Sequence, residues 1–256
     1  INLEELNISQ IKELSSLIKP SNFKSFLNQK IKKGKLISEI EIFFNEKGVF
    51  NNYIAKGRVR NLEAELLKGL EIKNINLSFF ADNDDILIQK IFGNFEEIKI
   101  SDGDVKLNLE NGLIINSSFD SKLKINKEFF KKYEKYIRKN NLIEGVELIE
   151  GNFKNSFFIN FDETYKVTNY KYSTSGKIDK GKFKLKKSFK NKFIKEEVKE
   201  VYFSDLIVDT LFSPKNIKFN GKGNYSFNNL NFFKINIDNS LVDDLLNLNL
   251  NFYYGN

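Results

Sequence analysis

Two groups of acidic residues have the side chains that acid–base chemistry uses. Glu39 and Glu41 alternate along one predicted strand, and Glu196, Glu197 and Glu200 cluster further along the chain. Two carboxylates held roughly 5–10 Å apart are the arrangement that hydrolyses glycosidic bonds. Nothing in the sequence brings such a pair to that distance, and charged side chains usually lie on the surface. We therefore interpret both groups as surface charge.

A third acidic segment, Asp82-Asn83-Asp84-Asp85, offers the oxygen ligands that Ca²⁺ prefers. It lacks the glycine and the terminal glutamate of an EF-hand loop. The segment is instead typical of a solvated turn, so we predict no metal site.

The composition excludes most other catalytic chemistry. The chain has no His and no Cys, so it cannot by itself build a Ser-His-Asp triad, a Cys-His dyad, a zinc finger or a disulfide. Gly221-Lys222-Gly223 lacks the further glycine and the following helix of a nucleotide-binding loop. We therefore predict that the protein is not an enzyme, with no catalytic residues and no cofactor.

The formal charge of +7 raises nucleic acid or an anionic membrane as partners. The basic residues are nearly all Lys, whereas reading of bases and phosphates draws heavily on Arg. The Lys-rich stretch 186–199, with Phe183, Phe189 and Phe193 in or near it, resembles a nucleic-acid surface, but it also fits a strand edge that Lys protects from aggregation. We favour the second interpretation and expect no nucleic acid.

The chain begins with Ile1 and contains no Met, so we expect an excised piece of a longer protein. It has no run of about 18 apolar residues, and we predict no membrane-spanning helix in it.

Hydrophobic periodicity divides the 256 residues into four segments. We predict an N-terminal helical segment at 1–34, a first antiparallel β unit at 35–125, a helix at 126–141 and a second antiparallel β unit at 142–256. The fold class is mainly β with a few helices, near the N-terminus and at mid-chain. About a dozen strands joined by short turns favour a long twisted antiparallel meander that forms an open groove or half-barrel.

Local signals support these segments. Helical spacing predicts two helices before Gly34, separated by Pro20, and Asn126 is a suitable N-cap for the third. In the first β unit, a strand from Ile98 leads into Asp102-Gly103, and Asn111-Gly112 fits a type I′ turn.

The alternating strands give the meander one long apolar face. Such a face suits acyl chains, because burying each CH₂ group gains about 0.8 kcal/mol and needs no precisely placed polar group. The candidate lining residues are Ile40, Ile42, Val105, Leu107, Leu109, Phe157, Ile159, Leu248, Leu250 and Phe252.

The order of these elements resembles the AsmA-like superfamily, and within it the YhdP-type proteins, best over about residues 8–125. The resemblance is carried by a Phe-containing helix that ends in Lys32-Lys33-Gly34, the strand 35–44, the turn at Gly48, the returning strand through 55–59, and 103–109. It implies a protein anchored in the inner membrane of diderm bacteria that crosses the periplasm as a curved β groove and supports phospholipid movement to the outer membrane. It implies no catalytic residues.

We therefore expect a segment of a periplasmic protein that is tethered to the inner membrane and carries phospholipid along a hydrophobic groove. Its partners would be phospholipid acyl chains and, through parts outside this chain, the inner and outer membranes. A structural or adhesive β-rich surface protein, with the apolar face sealed as core, is the alternative. Nucleic-acid binding through the Lys-rich stretch is a third hypothesis.

Overall fold

The computed structural model describes residues 1–17, 19–20, 22–67, 69–109, 112–132, 145–164, 166–190, 197–242 and 245–253. The elements are β1 (Asn2–Asn7), α1 (Ile8–Ser16), α2 (Asn22–Lys30), β2 (Ile31–Phe44), β3 (Phe50–Leu67), β4 (Leu70–Ala81), β5 (Asp85–Phe95), β6 (Ile98–Asn108), β7 (Leu113–Asn126), α3 (Lys127–Lys132), β8 (Val146–Phe161), β9 (Val167–Phe189), β10 (Val198–Phe212), β11 (Asn216–Ser226), β12 (Phe233–Val242) and β13 (Leu245–Phe252).

All 13 strands of the described residues belong to one sheet, and their order in the sheet is their order in the chain. The sheet is an antiparallel meander whose two ends are β1 and β13. The sequence prediction of a mainly β antiparallel meander, with helices near the N-terminus and at mid-chain, is confirmed.

The N-terminal segment contains more strand than the pattern predicts. Asn7 caps α1, since its side chain accepts from the Gln10 N–H at 3.1 Å while its own N–H donates to the Gln10 side chain at 2.9 Å. A strand, β1, precedes this cap and pairs with β2. The strand β2 begins at Ile31, so Gly34 lies inside it and does not end a helix. Pairing with β1 and β3 outweighs a helical periodicity that spans only a few turns.

The mid-chain helix begins where it was predicted. The Asn126 side chain accepts from the Phe129 N–H at 3.1 Å, which is an N-cap contact. The helix α3 is described to Lys132, and residues 133–141 of the predicted helix lie outside the described residues. The predicted type I′ turn also includes a residue outside them, Asn111.

A line of bulges crosses four adjacent strands. Asn61 in β3, Asn74 in β4, Lys90 in β5 and Asp102 in β6 all have a positive φ, between 51° and 54°. The strand registers shift around these residues. Asp102-Gly103 therefore lies inside β6, where it bends the strand, and does not form a turn between two strands. A bulge restarts the alternation of side chains and sharpens the local twist.

The chain divides into two compact units, which we describe separately. Unit 1 comprises residues 1–120 and 156–170, and unit 2 comprises residues 121–155 and 171–256. In unit 1, buried apolar side chains include Leu27, Ala64, Ile75 and Ala81. In unit 2 a larger buried cluster forms, consisting of Phe153, Ile178, Leu206, Val208, Tyr225 and Ile235.

Candidate functional site

Two of the acidic residues that could do chemistry, Glu39 and Glu200, are paired with lysines. Glu39 lies 3.1 Å from the Lys56 ammonium. Glu200 lies 2.9 Å from the Lys182 ammonium and accepts from the Tyr202 hydroxyl at 2.5 Å. The hydrogen bond from Tyr202, followed by that from Lys182, lowers the pKa of Glu200. A lowered pKa keeps the carboxylate ionised, which suits surface charge and not a general acid.

The remaining glutamates fit the same interpretation. Glu197 lies 3.4 Å from the Lys199 ammonium, and Glu41 stands opposite Ile54 in the β2–β3 ladder. Glu196 lies outside the described residues.

The segment that follows β4 is a turn closed by its own aspartate. One Asp82 carboxylate oxygen accepts from the Asp84 N–H at 2.9 Å and from the Asp85 N–H at 2.8 Å. The Asn83 amide donates to the Asn51 carbonyl at 3.0 Å, which holds the turn against β3. Within the described part of the chain, no cluster of three or more acidic side chains is placed to hold a metal ion.

The feature of unit 1 that stands out is an apolar face on five adjacent strands, β2 to β6. One row of Cα partners crosses all five strands, from Ile40 through Ala55, Ala81 and Ile86 to Leu107. Residues that are partners in a ladder point to the same side of the sheet. Ile40 and Leu107 therefore share one face.

The neighbouring rows extend this face. A second row runs from Ser38 through Gly57, Phe79 and Ile88 to Val105, and Ile42 pairs with Tyr53 on the other side of the first row. We call this surface the unit-1 apolar face. Its residues are Leu36, Ser38, Ile40, Ile42, Tyr53, Ala55, Gly57, Val59, Leu77, Phe79, Ala81, Ile86, Ile88, Val105 and Leu107.

Gly57 sits in the middle of this face for a steric reason. A Cβ atom there would lie 2.3 Å from the Ile37 carbonyl oxygen and 2.9 Å from the Phe79 ring. The absence of a side chain lets the ring of Phe79 lie over β3. The glycine is thus part of the packing of the face.

Most of the unit-1 apolar face is half-buried and keeps contact with solvent. Ala81 and Ser38 are buried, whereas the larger side chains of Ile40, Phe79 and Leu107 are half-buried. At the end of β2 the Ile42 side chain is 43% exposed. This face is therefore not sealed like an ordinary protein core.

The opposite side of the same strands has a different character. The adjacent row there runs from Glu39 through Lys56, Phe80 and Leu87 to Lys106. Charged residues stand at both ends of this row. The sheet is therefore amphipathic across β2 to β6, with one apolar and one mixed side.

The hairpin between β2 and β3 presents further apolar side chains at its tip. The Asn45 side chain accepts from the N–H groups of Lys47 and Val49 and so fixes the turn. Phe44, Val49 and Phe50 beside it are each more than half exposed. This exposed tip adjoins Ile42 at the end of the apolar face.

Three predicted lining residues lie elsewhere in unit 1. Leu109 follows the end of β6, where its N–H donates to the Asp84 carbonyl at 2.7 Å and its side chain is 38% exposed. Phe157 and Ile159 are half-buried and point to one side of β8, because they are two residues apart.

The other three predicted residues lie on β13 in unit 2. Leu248, Leu250 and Phe252 pair with Asn239, Ile237 and Ile235 of β12, respectively. The Phe252 ring lies 5.1 Å from the Tyr225 ring in an edge-on arrangement. These three β13 side chains are about half exposed, although the inner part of the same face is the buried cluster of unit 2.

A polar network interrupts the apolar side chains of unit 2. The buried Asn155 amide donates to the Ser121 hydroxyl at 2.8 Å, and its oxygen accepts from the Tyr172 and Thr174 hydroxyls at 2.9 Å each. Phe153 precedes Asn155 by two residues on the same side of β8 and belongs to the buried cluster. The network therefore borders the core.

The Lys-rich stretch lies partly on β9. The Phe183 ring packs edge-on against Phe203, with 5.4 Å between the ring centres, so it is not free to stack on a base. Phe189 is 47% exposed, whereas Phe193 lies outside the described residues.

Sequence reasoning missed the middle of the unit-1 apolar face. Ala55 and Ala81 are too small to stand out, and Ile86 and Ile88 lie in an uninterrupted apolar run whose inward side is ambiguous from the sequence. The pairing of strands, which a single sequence does not give, decides the side.

No helix in the described part of the chain has both the length and the apolar character needed to span a bilayer. Comparison with protein-family models, with curated proteins and with solved structures finds no match for this chain.

Proposed function

We propose that this chain is a segment of a periplasmic protein of the AsmA-like, YhdP type that carries phospholipid along an apolar β surface from the inner to the outer membrane. The observation that supports this proposal is the unit-1 apolar face, on which five strands align apolar side chains that keep contact with solvent. The resemblance in the strand 35–44, the turn at Gly48, the returning strand 55–59 and residues 103–109 supports the same function, whereas Lys32, Lys33 and Gly34 lie in β2 and do not end a helix.

The physical basis of binding is the transfer of acyl chains out of water. Each CH₂ group that lies against the face contributes about 0.8 kcal/mol. A half-buried side chain still exposes apolar area that an acyl chain can bury. Acyl chains need no hydrogen-bonding partner, so the head group stays in water. The protein would act as a passive surface without catalytic residues.

The proposed partners follow from this role. Phospholipid acyl chains contact the chain directly, and the two membranes are reached through parts of the protein outside this chain. The tether to the inner membrane belongs to those parts. Nucleic acid is not a proposed partner.

Unit 2 favours a second candidate function, that of a structural or adhesive β protein with a sealed core. Its Leu206, Val208, Tyr225 and Ile235 side chains are at most 3% exposed, so this part of the surface has no area left for a ligand. If another protein covered the unit-1 apolar face so that it too had no exposed area left for a ligand, the chain would be a structural scaffold. The two functions differ in whether lipid occupies the unit-1 apolar face.

The test is native mass spectrometry of the purified chain, with lipid extraction from the same preparation. We expect phospholipid at a reproducible stoichiometry. Ile40→Asp and Leu107→Asp place a charge at the two ends of one row and should reduce bound lipid several-fold. Phe80→Asp is the matched control, because Phe80 lies in the adjacent row on the opposite side of β4.

Circular dichroism establishes that each variant keeps its strand content. A lipid-free wild-type chain would overturn the proposal and favour the structural function. Equal loss of lipid in all three variants, or full retention in Ile40→Asp and Leu107→Asp, would show that the unit-1 apolar face does not bind the lipid.

A further inference from the structure

The positive charge of the chain is concentrated in unit 2. Unit 2 contains 24 Lys and Arg residues and 14 Asp and Glu residues, whereas unit 1 contains 17 and 20, respectively. The formal charge is therefore +10 for unit 2 and −3 for unit 1. A unit with this excess of positive charge attracts polyanionic surfaces.

Three lysines on β9 form the larger part of a basic patch in unit 2. Lys180, Lys182 and Lys184 point to one side of the sheet, because they are two residues apart and the β9–β10 register has no shift between them. Lys180 and Lys184 are exposed, whereas Lys182 is half-buried and pairs with Glu200 at 2.9 Å. The strand is paired on both sides here, since the Lys184 N–H donates to the Gly145 carbonyl at 2.7 Å and Glu200 stands opposite Lys184 on β10. These lysines therefore do not protect a free strand edge.

A fourth lysine comes from β12. One row of Cα partners leads from Lys180 through Ser204 and Asn224 to Lys234. Lys234 therefore points to the same side of the sheet as the lysines of β9, and it is also exposed. We call these four lysines, 180, 182, 184 and 234, the unit-2 basic patch. The ion pair with Glu200 offsets one of the four charges, so the patch stays positive.

An exposed loop between β11 and β12 lies at the same end of unit 2. The last residue of β11, Ser226, pairs with Tyr202, and Tyr202 pairs with Lys182 of the patch. The Asn228 side chain accepts from the Leu230 N–H at 3.0 Å and from the Ser226 hydroxyl at 3.0 Å. These contacts fix the turn that carries Leu230, whose side chain is 81% exposed.

A second apolar side chain of this loop is also exposed. Phe232, which immediately precedes β12, is 40% exposed, whereas its neighbour Phe233 packs against the buried cluster of unit 2. Exposed apolar side chains beside lysines are typical of proteins that lie on a membrane interface. The lysines attract anionic head groups, and the apolar side chains reach the boundary between head groups and acyl chains.

We propose that this end of unit 2 binds the surface of an anionic phospholipid bilayer, with the unit-2 basic patch against the head groups and Leu230 inserted between them. Nucleic acid fits less well, because the patch consists of lysines and the Phe183 ring is packed against Phe203. This contact is additional to the membrane contacts made through parts outside this chain. It does not rest on the proposed lipid function, because it uses the charge of unit 2 and not the unit-1 apolar face.

The test is cosedimentation of the 256-residue chain with vesicles of phosphatidylcholine, either alone or mixed with phosphatidylglycerol. We expect binding to the mixed vesicles only, and added salt should weaken it. Combining Lys180→Gln, Lys184→Gln and Lys234→Gln should lower the partition coefficient about tenfold or more, because each lysine near the surface adds to the attraction.

The matched control removes three exposed charges from unit 1, by combining Lys90→Gln, Lys99→Gln and Lys166→Gln. This variant has the same net charge as the first and should keep most of the binding. Circular dichroism checks that both triple variants keep their strand content.

Insertion of the loop has a separate readout, because the chain contains no Trp. Leu230→Trp places a single fluorophore on the loop, and its emission should shift to shorter wavelength on the mixed vesicles. Leu17→Trp is the control, since Leu17 lies in unit 1 and is 83% exposed. Its emission should stay unchanged.

Failure of the wild-type chain to bind the mixed vesicles at low salt would overturn the proposal. Equal loss of binding in the two triple variants, or an unchanged emission of Leu230→Trp in a chain that binds, would do the same. Tighter binding to DNA than to the mixed vesicles at the same salt concentration would identify nucleic acid as the partner instead.

Discussion

Ile40 on β2 and Leu107 on β6 lie on the same side of the sheet, joined by four successive strand pairings. The partners between them are Ala55, Ala81 and Ile86, and none of the four ladders has a register shift within this row. Two residues that are distant in sequence thus become parts of one surface. Unit 1 has an apolar face because this row of partners is continuous across the five strands.

The line of bulges crosses β3 to β6 several residues away from this row, and one bulge residue gives a direct test of backbone strain. Lys90 has a φ of 54°, a left-handed conformation that costs a non-glycine residue about 1 kcal/mol. Lys90→Gly should therefore leave the free energy of unfolding unchanged or raise it by up to about 1 kcal/mol. Chemical denaturation measures the change.

The neighbouring Gln89 is also exposed but has no positive φ, so Gln89→Gly is the control and should lower the free energy of unfolding by about 0.5–1 kcal/mol. An equal loss in the two variants would mean that the bulge at Lys90 carries no strain.

These bulges show what a single sequence predicts of this fold and what it does not. Strict alternation in Val105 and Leu107 predicts a strand with one apolar side, and the structure has that strand. The spacing of three between Ile88 and Ile91 breaks the alternation, and without the pairing of β5 with β6 it does not identify a bulge. Asp102 does not identify a bulge either, because Asp tolerates a positive φ in turns and in bulges alike.

The candidate site was predictable to a similar extent. Ile40, Ile42, Val105 and Leu107 were predicted as one lining, and the ladders place them on one face. Burial was not predictable, because it depends on neighbouring strands. Leu250 and Leu206 occupy equally regular apolar positions, yet Leu206 is 3% exposed and Leu250 is 44% exposed at the edge of the sheet.

The polar network around Asn155 should contribute strongly to the stability of unit 2. Asn155→Ala leaves the buried Ser121 hydroxyl without the amide that donates to it, and removes the acceptor of Tyr172 and Thr174. Loss of such buried partners typically costs about 1–3 kcal/mol. We expect the free energy of unfolding, measured by chemical denaturation, to fall by that amount.

Asn152→Ala is the matched control on the same strand, because Asn152 is exposed and its amide donates to the Asp179 carboxylate at 3.1 Å. Its effect should stay within about 0.5 kcal/mol. A loss for Asn155→Ala no larger than that of the control would show that water replaces the network at no cost.

The contact of Glu200 with Tyr202 and Lys182 predicts how stability depends on pH. The hydrogen bonds from Tyr202 and Lys182 lower the pKa of Glu200 below its ordinary value of 4.5. A carboxyl group with a lower pKa in the folded state stabilises the fold above its unfolded-state pKa, and this contribution is lost as the pH falls through the folded-state value. Glu200→Gln should therefore destabilise the chain at pH 7, by about 0.2–1 kcal/mol for a largely surface pair.

The measurement is the free energy of unfolding of the wild type and Glu200→Gln between pH 7 and pH 3. The difference between the two proteins should be constant at neutral pH and shrink below pH 4.5. The same contact raises the pKa of Lys182 above 10.5, so the contribution of that ammonium persists at neutral pH and is lost only in strong alkali. Glu163→Gln, at an exposed turn position, controls for the loss of a carboxylate. A difference that stays constant down to pH 3 would show that the ionised form of Glu200 is not what stabilises the β9–β10 pair.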